Sequence, residues 1–166
     1  YITLPSLTNL TVAEIFTDVD STDFATNGTL TTLSFTENCK QIGNSCFSGL
    51  TALTSVSFGR QIEEIGAFCF TNCPIVTSVT FDTTATITSI GQYAFQDFGD
   101  QGSGINHVVF PPFGVTNLDQ KGIFQRSGWT TLDFSLSTSL LNFGTTSGSS
   151  SSCLLYTSDA ADDTPC

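Results

Sequence analysis

Residues 53–81 read LTSVSFGRQIEEIGAFCFTNCPIVTSVTF and contain one complete unit of a repeat. A strand-like segment, Leu53–Phe58, leads into Ile65-Gly66 and then Phe70, after which the strand pattern returns as Val76–Phe81. Alternating apolar and polar residues over such a segment predict a half-buried strand. Because the pattern returns after 23 residues, from Phe58 to Phe81, we expect a chain of stacked, self-similar coils.

The strand pattern occurs five times, and a second apolar pattern follows the first four copies. The strand copies end at Phe35, Phe58, Phe81, Phe110 and Phe134. The second pattern ends at Phe47, Phe70, Phe95 and Phe124, and in its looser fourth copy Leu118 is displaced by one residue. Nine of the fifteen phenylalanines therefore fall in two columns, which predicts an internal aromatic spine in a repeat solenoid.

The order of residues within each unit predicts how one coil is built. In the first copy, Leu33 and Phe35 point inward while Thr32 and Ser34 point outward. A glycine follows the column isoleucine, as in Ile65-Gly66, and suits a left-handed backbone or a close approach between coils. The segment from isoleucine to phenylalanine is too short for a long helix, so a short helical or 3-10 turn is expected there.

Composition divides the chain into three parts. Residues 1–29 form a degenerate N-terminal cap or partial repeat, residues 30–146 hold the repeats, and residues 147–166 combine a flexible Ser-rich linker with a tail that looks non-native. Within the repeats, Gln96–Gly104 is rich in Gly and Asp and is predicted to be a surface loop.

The unit L-T-x-V-x-F … I-x-x-I-G-x-x-A/C-F-x-x-C resembles the BspA-like leucine-rich repeat, over residues 30–143. The resemblance implies an α/β repeat solenoid, a leucine-rich-repeat-like right-handed coil with a parallel β-sheet on one face and short helical or 3-10 turns on the other. It further implies a cell-surface or secreted protein that binds other proteins or matrix. The fourth and fifth coils depart from the unit, so they are expected to be less regular.

Charge and cysteine content restrict the partners and the compartment. The net charge is −11 with four basic residues, so no basic patch exists for nucleic acid or anionic lipid. No apolar run is long enough for membrane insertion in this fragment. Six cysteines in a Ser/Thr-rich chain fit an extracellular or cell-surface location. The chain begins at Tyr1, which suggests a processed product or a fragment.

Catalytic and metal-binding patterns are weak. His107 is the only histidine, and no G-x-S-x-G motif accompanies it. Cys69 and Cys73 lack a second ligand pair at zinc spacing, and Cys46 and Cys69 share a column with Ala94, which favours small buried residues. We therefore expect no catalytic residue, no metal site and no cofactor.

Outward positions of the stacked strands predict the one candidate binding surface. The first rank is Thr32, Ser55, Ser78, His107 and Thr131, and the second is Ser34, Ser57, Thr80, Val109 and Asp133. Such a flat, hydroxyl-rich surface is either a solvated sheet face or a binding site for a protein or extracellular-matrix ligand. We predict a binding site, which makes the chain a non-catalytic interaction or adhesion module.

Two further hypotheses remain at this stage. The repeats could be part of a larger enzyme or receptor whose active domain lies elsewhere. Alternatively, the Ser/Thr ranks could bind ice, by analogy with other flat β-solenoids.

Overall fold

A computed structural model of the protein describes residues 9–12, 28–101, 104–105, 107–114, 117–118, 122–137 and 142–143. These residues form eleven β-strands and no helix. The strands are β1 Asn9–Val12, β2 Thr32–Phe35, β3 Gln41–Ile42, β4 Ser55–Phe58, β5 Glu64–Ile65, β6 Ser78–Phe81, β7 Ser89–Ile90, β8 Val108–Val109, β9 Asn117–Leu118, β10 Leu132–Asp133 and β11 Asn142–Phe143.

The longer strands form one parallel sheet, in the order β1-β2-β4-β6. Thr32 pairs with Ser55, and Ser55 pairs with Ser78, so successive coils lie in register at the spacing of the repeat. In this register the apolar residues between them, Leu33, Val56 and Val79, all point into the core. The parallel β-solenoid predicted from the repeat is thereby confirmed.

The two-residue strands form a second ladder on another side of each coil. Strands β3, β5 and β7 pair in parallel, and so do β9 and β11. In the latter pair Leu118 lies opposite Phe143, which puts the displaced Leu118 in a strand like the isoleucines of earlier coils. Strands β8 and β10 form a separate pair beside β6.

Two stacks of phenylalanine rings run through the core and confirm the predicted spine. Ring centroids along the first stack are 5.4, 4.4, 4.6 and 5.0 Å apart, from Phe35 to Phe134. Along the second stack, from Phe47 to Phe124, they are 5.7, 5.5 and 5.8 Å apart. Rings of the two stacks meet edge to face, as Phe58 and Phe70 do at 89°. Each coil therefore buries its aromatic rings only with its neighbours' help.

The helical or 3-10 turns predicted between the column isoleucine and the column phenylalanine are not confirmed. This segment and the residues that follow it contain positions with a left-handed backbone. One column with positive φ consists of Ser45, Phe68, Tyr93 and Gly122. A second column, four residues further along each coil, consists of Gly49, Asn72, Asp97 and Arg126. Their φ values lie between 50° and 77°. A right-handed helix cannot pass through such residues, so the described segments are chains of turns.

Gly66 shows why a glycine follows the column isoleucine. A Cβ at this position would lie 2.5 Å from the carbonyl carbon and oxygen of Gly43 and 2.6 Å from the amide nitrogen of Asn44. Backbones of adjacent coils meet here without room for a side chain, which is the close approach that the sequence predicts.

The prediction of a surface loop over Gln96–Gly104 is wrong in its first part. Phe98 is fully buried, pairs with Cys73 through a parallel bridge and stacks on Trp129 at 5.7 Å. The Gly99 amide donates to the Cys73 carbonyl at 2.9 Å. Asp100 and Gln101 are exposed, so the loop begins after the buried ring.

Candidate functional site

Six of the ten predicted binding residues lie together on the outer side of the four-stranded sheet. We call this surface the strand face, and its residues are Thr32, Ser34, Ser55, Ser57, Ser78 and Thr80. Ser78 and Thr80 are exposed, and the other four are half-buried. Because pairing is in register, the hydroxyls repeat at the interstrand distance of about 4.8 Å.

The other four predicted residues lie beyond the edge of this sheet. Val109 pairs with Asp133 in the two-stranded sheet, and His107 and Thr131 come just before these strands. The Phe81 and Phe110 rings are 4.6 Å apart, so β8 continues the stack next to β6. The structure thus divides the predicted ranks between two sheets.

A further row of hydroxyls borders the strand face and escaped the sequence analysis. Thr54 Oγ1 donates to the Thr31 carbonyl at 3.0 Å, and Thr77 Oγ1 donates to the Thr54 carbonyl at 3.5 Å. In the last coil, Thr130 Oγ1 donates to the Ile105 carbonyl at 2.9 Å. We call this row the threonine ladder. The signal was available, since threonine occupies the second position in four of the five strand copies.

Strand β1 also enlarges the surface that the sequence predicts. Its Asn9 pairs with Thr32 and its Thr11 pairs with Ser34. Thr11 is exposed, and both residues are uncharged. The second polar rank therefore extends one coil further toward the N-terminus, through the exposed Thr11.

The two ionisable residues among the ten predicted positions lie together at one end. His107 Nε2 lies 3.6 Å from Asp133 Oδ2, and the imidazole is 56% exposed. The pKa of Asp133 is lowered, chiefly because the Ser135 N–H donates to its carboxylate at 2.8 Å, then by the Ser135 hydroxyl, and less by His107. The carboxylate is therefore ionised at neutral pH and gives this end of the surface a negative charge.

We expect an NMR titration of side-chain carboxyls to place the pKa of Asp133 below that of an unperturbed aspartate. Because its folded-state pKa is the lower one, this carboxylate adds stability above the unfolded-state pKa, and the contribution disappears as pH falls through the folded-state pKa. Ser135→Ala should raise the pKa more than His107→Ala does, although the backbone N–H remains. A full return to the usual value in His107→Ala would contradict this assignment.

The four described cysteines are buried. Cys39, Cys46, Cys69 and Cys73 are all fully buried, and for Cys46 and Cys69 this confirms the buried position that their column predicts. Burial raises the pKa of Cys73 to about 12 and also raises that of Cys69, so these thiols stay protonated and unreactive at neutral pH. Among the described residues, no group of three or more potential metal ligands occurs.

No helix in the described ranges has the length and apolar composition needed to cross a bilayer.

Parallel coils, stacked phenylalanines and an exposed polar strand surface define a leucine-rich-repeat solenoid. Residues 3–100 match the family model of the BspA type leucine rich repeat region, in six copies. The match covers more than half of the 166 residues, and the chain belongs to this family. No curated protein and no solved structure matches the chain.

Proposed function

We propose that this chain is a non-catalytic interaction or adhesion module of a cell-surface or secreted protein, and that a protein or extracellular-matrix partner binds its strand face. The observation that carries the proposal is the in-register array of uncharged hydroxyl side chains on a parallel sheet. Repeat solenoids commonly bind partners through extended surfaces of this kind. Family membership supports a repeat protein and adds no information on the ligand.

Chemistry of the strand face limits how a partner would bind. Serine and threonine hydroxyls both donate and accept hydrogen bonds, so they match peptide groups and polar side chains without a charged partner. No carboxylate or ammonium group belongs to the six residues, so recognition rests on shape and hydrogen bonds. Association should accordingly depend only weakly on ionic strength.

Ser55→Arg/Ser78→Arg should weaken binding of an extracellular-matrix partner at least about tenfold. Two long cations in the centre of the interface would be buried without counter-charges. Binding would be measured by surface plasmon resonance against immobilised collagen, laminin and fibronectin. Ser89→Arg is the matched control, because Ser89 is an exposed strand residue of β7 on the other ladder.

Two results would overturn this proposal. One is that wild-type protein binds none of the immobilised proteins, and the other is that the double variant binds as tightly as Ser89→Arg. Circular dichroism of all three proteins establishes that the substitutions leave the sheet intact.

Ice binding is the second candidate, favoured by the same register of hydroxyls. Thr32, Ser55 and Ser78 form an unbroken row, although the paired residues Val109 and Asp133 carry no hydroxyl in the next sheet. Thermal hysteresis of the wild-type protein separates this function from partner binding.

A further inference from the structure

Phe68 and Tyr93 form an aromatic pair on the turn side of the solenoid, outside both phenylalanine stacks. Their ring centroids are 5.2 Å apart, with an interplanar angle of 26°. Both side chains are half-buried, whereas the neighbouring spine residues Phe70 and Phe95 are fully buried. The pair therefore presents part of its ring surface to solvent.

The backbone at these two positions does not require an aromatic residue. Phe68 and Tyr93 have φ values of 56° and 55°, in the left-handed region that bulky side chains rarely adopt. Other coils place Ser45 and Gly122 at the same position with the same backbone. Two large rings at a strained position suggest a role in what the rings contact at the surface.

Glutamine residues lie beside the aromatic pair along the coils. Gln96 and Gln125 come three residues after Tyr93 and Gly122, and their N–H groups donate to the Tyr93 and Gly122 carbonyls at 3.2 and 3.0 Å. On the other flank, the Phe68 N–H donates to the Gln92 carbonyl at 3.0 Å. The described members of these rows carry no charge, and Lys121, which precedes Gly122, lies outside the described residues.

The hydrogen-bonding groups around the rings are available to a ligand. Among the described residues, none hydrogen-bonds to the Tyr93 hydroxyl or to the side-chain amides of Gln92, Gln96 and Gln125. The Tyr93 ring lies directly over Gly122, where a Cβ would touch its Cδ1 at 2.6 Å, and Gln125 Oε1 lies 3.4 Å from the same point. The Tyr93 ring and the Gln125 carboxamide therefore lie close together, and the Arg126–Asp97 ion pair follows one residue further along each coil.

We propose that the aromatic pair and its surrounding amides form a binding site for the neutral pyranose rings of a glycan. The C–H faces of a sugar pack against aromatic rings, and its hydroxyls need groups that both donate and accept, which carboxamides supply. The chain's net charge of −11 disfavours an anionic polysaccharide. This site is separate from the strand face, so its failure would leave the proposed partner-binding function untouched.

Calorimetric titration with cellohexaose, mannohexaose and maltohexaose tests the proposal, with hexagalacturonic acid as the anionic probe. At least one neutral hexasaccharide should bind, and the acid should not. Phe68→Asn/Tyr93→Asn should weaken that binding at least about tenfold, because two aromatic contacts are lost. Asparagine adopts positive φ readily, so the unfolding temperature should change by no more than about 2 to 4 °C.

Ser45→Asn is the matched control, because it places the same residue in the same column without removing a ring. Its affinity should equal that of the wild type. If the double variant fails to fold, ring-proton NMR shifts of wild-type Phe68 and Tyr93 on addition of the hexasaccharide decide the question. The proposal would be overturned if no neutral sugar bound at millimolar concentration, or if the acid bound equally well. It would also be overturned by unchanged affinity in the double variant, or by NMR shifts confined to the strand face.

Discussion

Phe70→Ala is expected to lower the free energy of unfolding by about 3 to 5 kcal/mol. The ring is fully buried and stacks between Phe47, at 5.7 Å, and Phe95, at 5.5 Å. Its removal leaves a cavity in the middle of the second stack. Because each coil is stabilised by its neighbours, the loss weakens both adjoining interfaces.

Urea denaturation followed by circular dichroism measures this loss. Phe68→Ala is the matched control, since it makes the same substitution two residues away at a half-buried ring outside the spine. We expect the control to cost about 1 to 2 kcal/mol, because it loses the stacking on Tyr93 and part of a half-buried ring. Equal midpoints for the two variants would show that the stacked rings do not carry the stability of the array.

Gly66→Ala is expected to lower the free energy of unfolding by about 3 kcal/mol, at the upper end of ordinary overpacking. The added methyl would lie 2.5 Å from the Gly43 carbonyl group. That neighbour is backbone of the adjacent coil and not a flexible side chain. Relief therefore requires the two coils to separate, which weakens the ladder between β3 and β5.

Gly28→Ala provides the comparison for this substitution. No atom lies within 4 Å of the place that its Cβ would take, so the midpoint of urea denaturation should stay near that of the wild type. If Gly66→Ala were as stable as Gly28→Ala, the distance between coils could increase at little cost. The glycine column would then not determine that distance.

The stacked core was predictable because one physical requirement repeats along the chain. Each coil must bury an apolar face on the next, so Phe35, Phe58 and Phe81 recur in phase with the strands. Strand alternation likewise places Leu33 inward and Ser34 outward, as the structure shows. Both features depend on side-chain polarity, which a sequence displays directly.

The shape of the turns depends on the backbone, and the sequence displays this less clearly. Of the left-handed residues, Gly49 and Asn72 have the residue types that favour such a backbone. Phe68, Tyr93 and Arg126 do not, so local composition favours an ordinary turn or helix there. Tertiary hydrogen bonds to the neighbouring coil, such as Asn72 N–H to the Gln96 carbonyl, impose the conformation instead.

The arrangement of the outward-facing residues was predicted in part, and the insertion in the third coil accounts for the difference. Equal spacing puts Ser55 and Ser78 in one rank, whereas 29 residues separate Phe81 from Phe110. The longer path changes the backbone pairing, so β8 joins β10 in another sheet. Phe98 was missed for a similar reason, since its Asp and Gly neighbours indicate a loop while its ring belongs to the core.

Contacts along the threonine ladder and the aromatic spine join a coil only to the coils directly before and after it. The Phe47–Phe70 and Phe70–Phe95 contacts are nearly alike, at 5.7 and 5.5 Å. If the 23 residues 53–75 were duplicated, the extra coil would therefore pack against the same types of residue at both of its interfaces. Unequal crossing-over between such cassettes can lengthen or shorten the molecule one strand at a time, by about 4.8 Å, without redesign of the remainder.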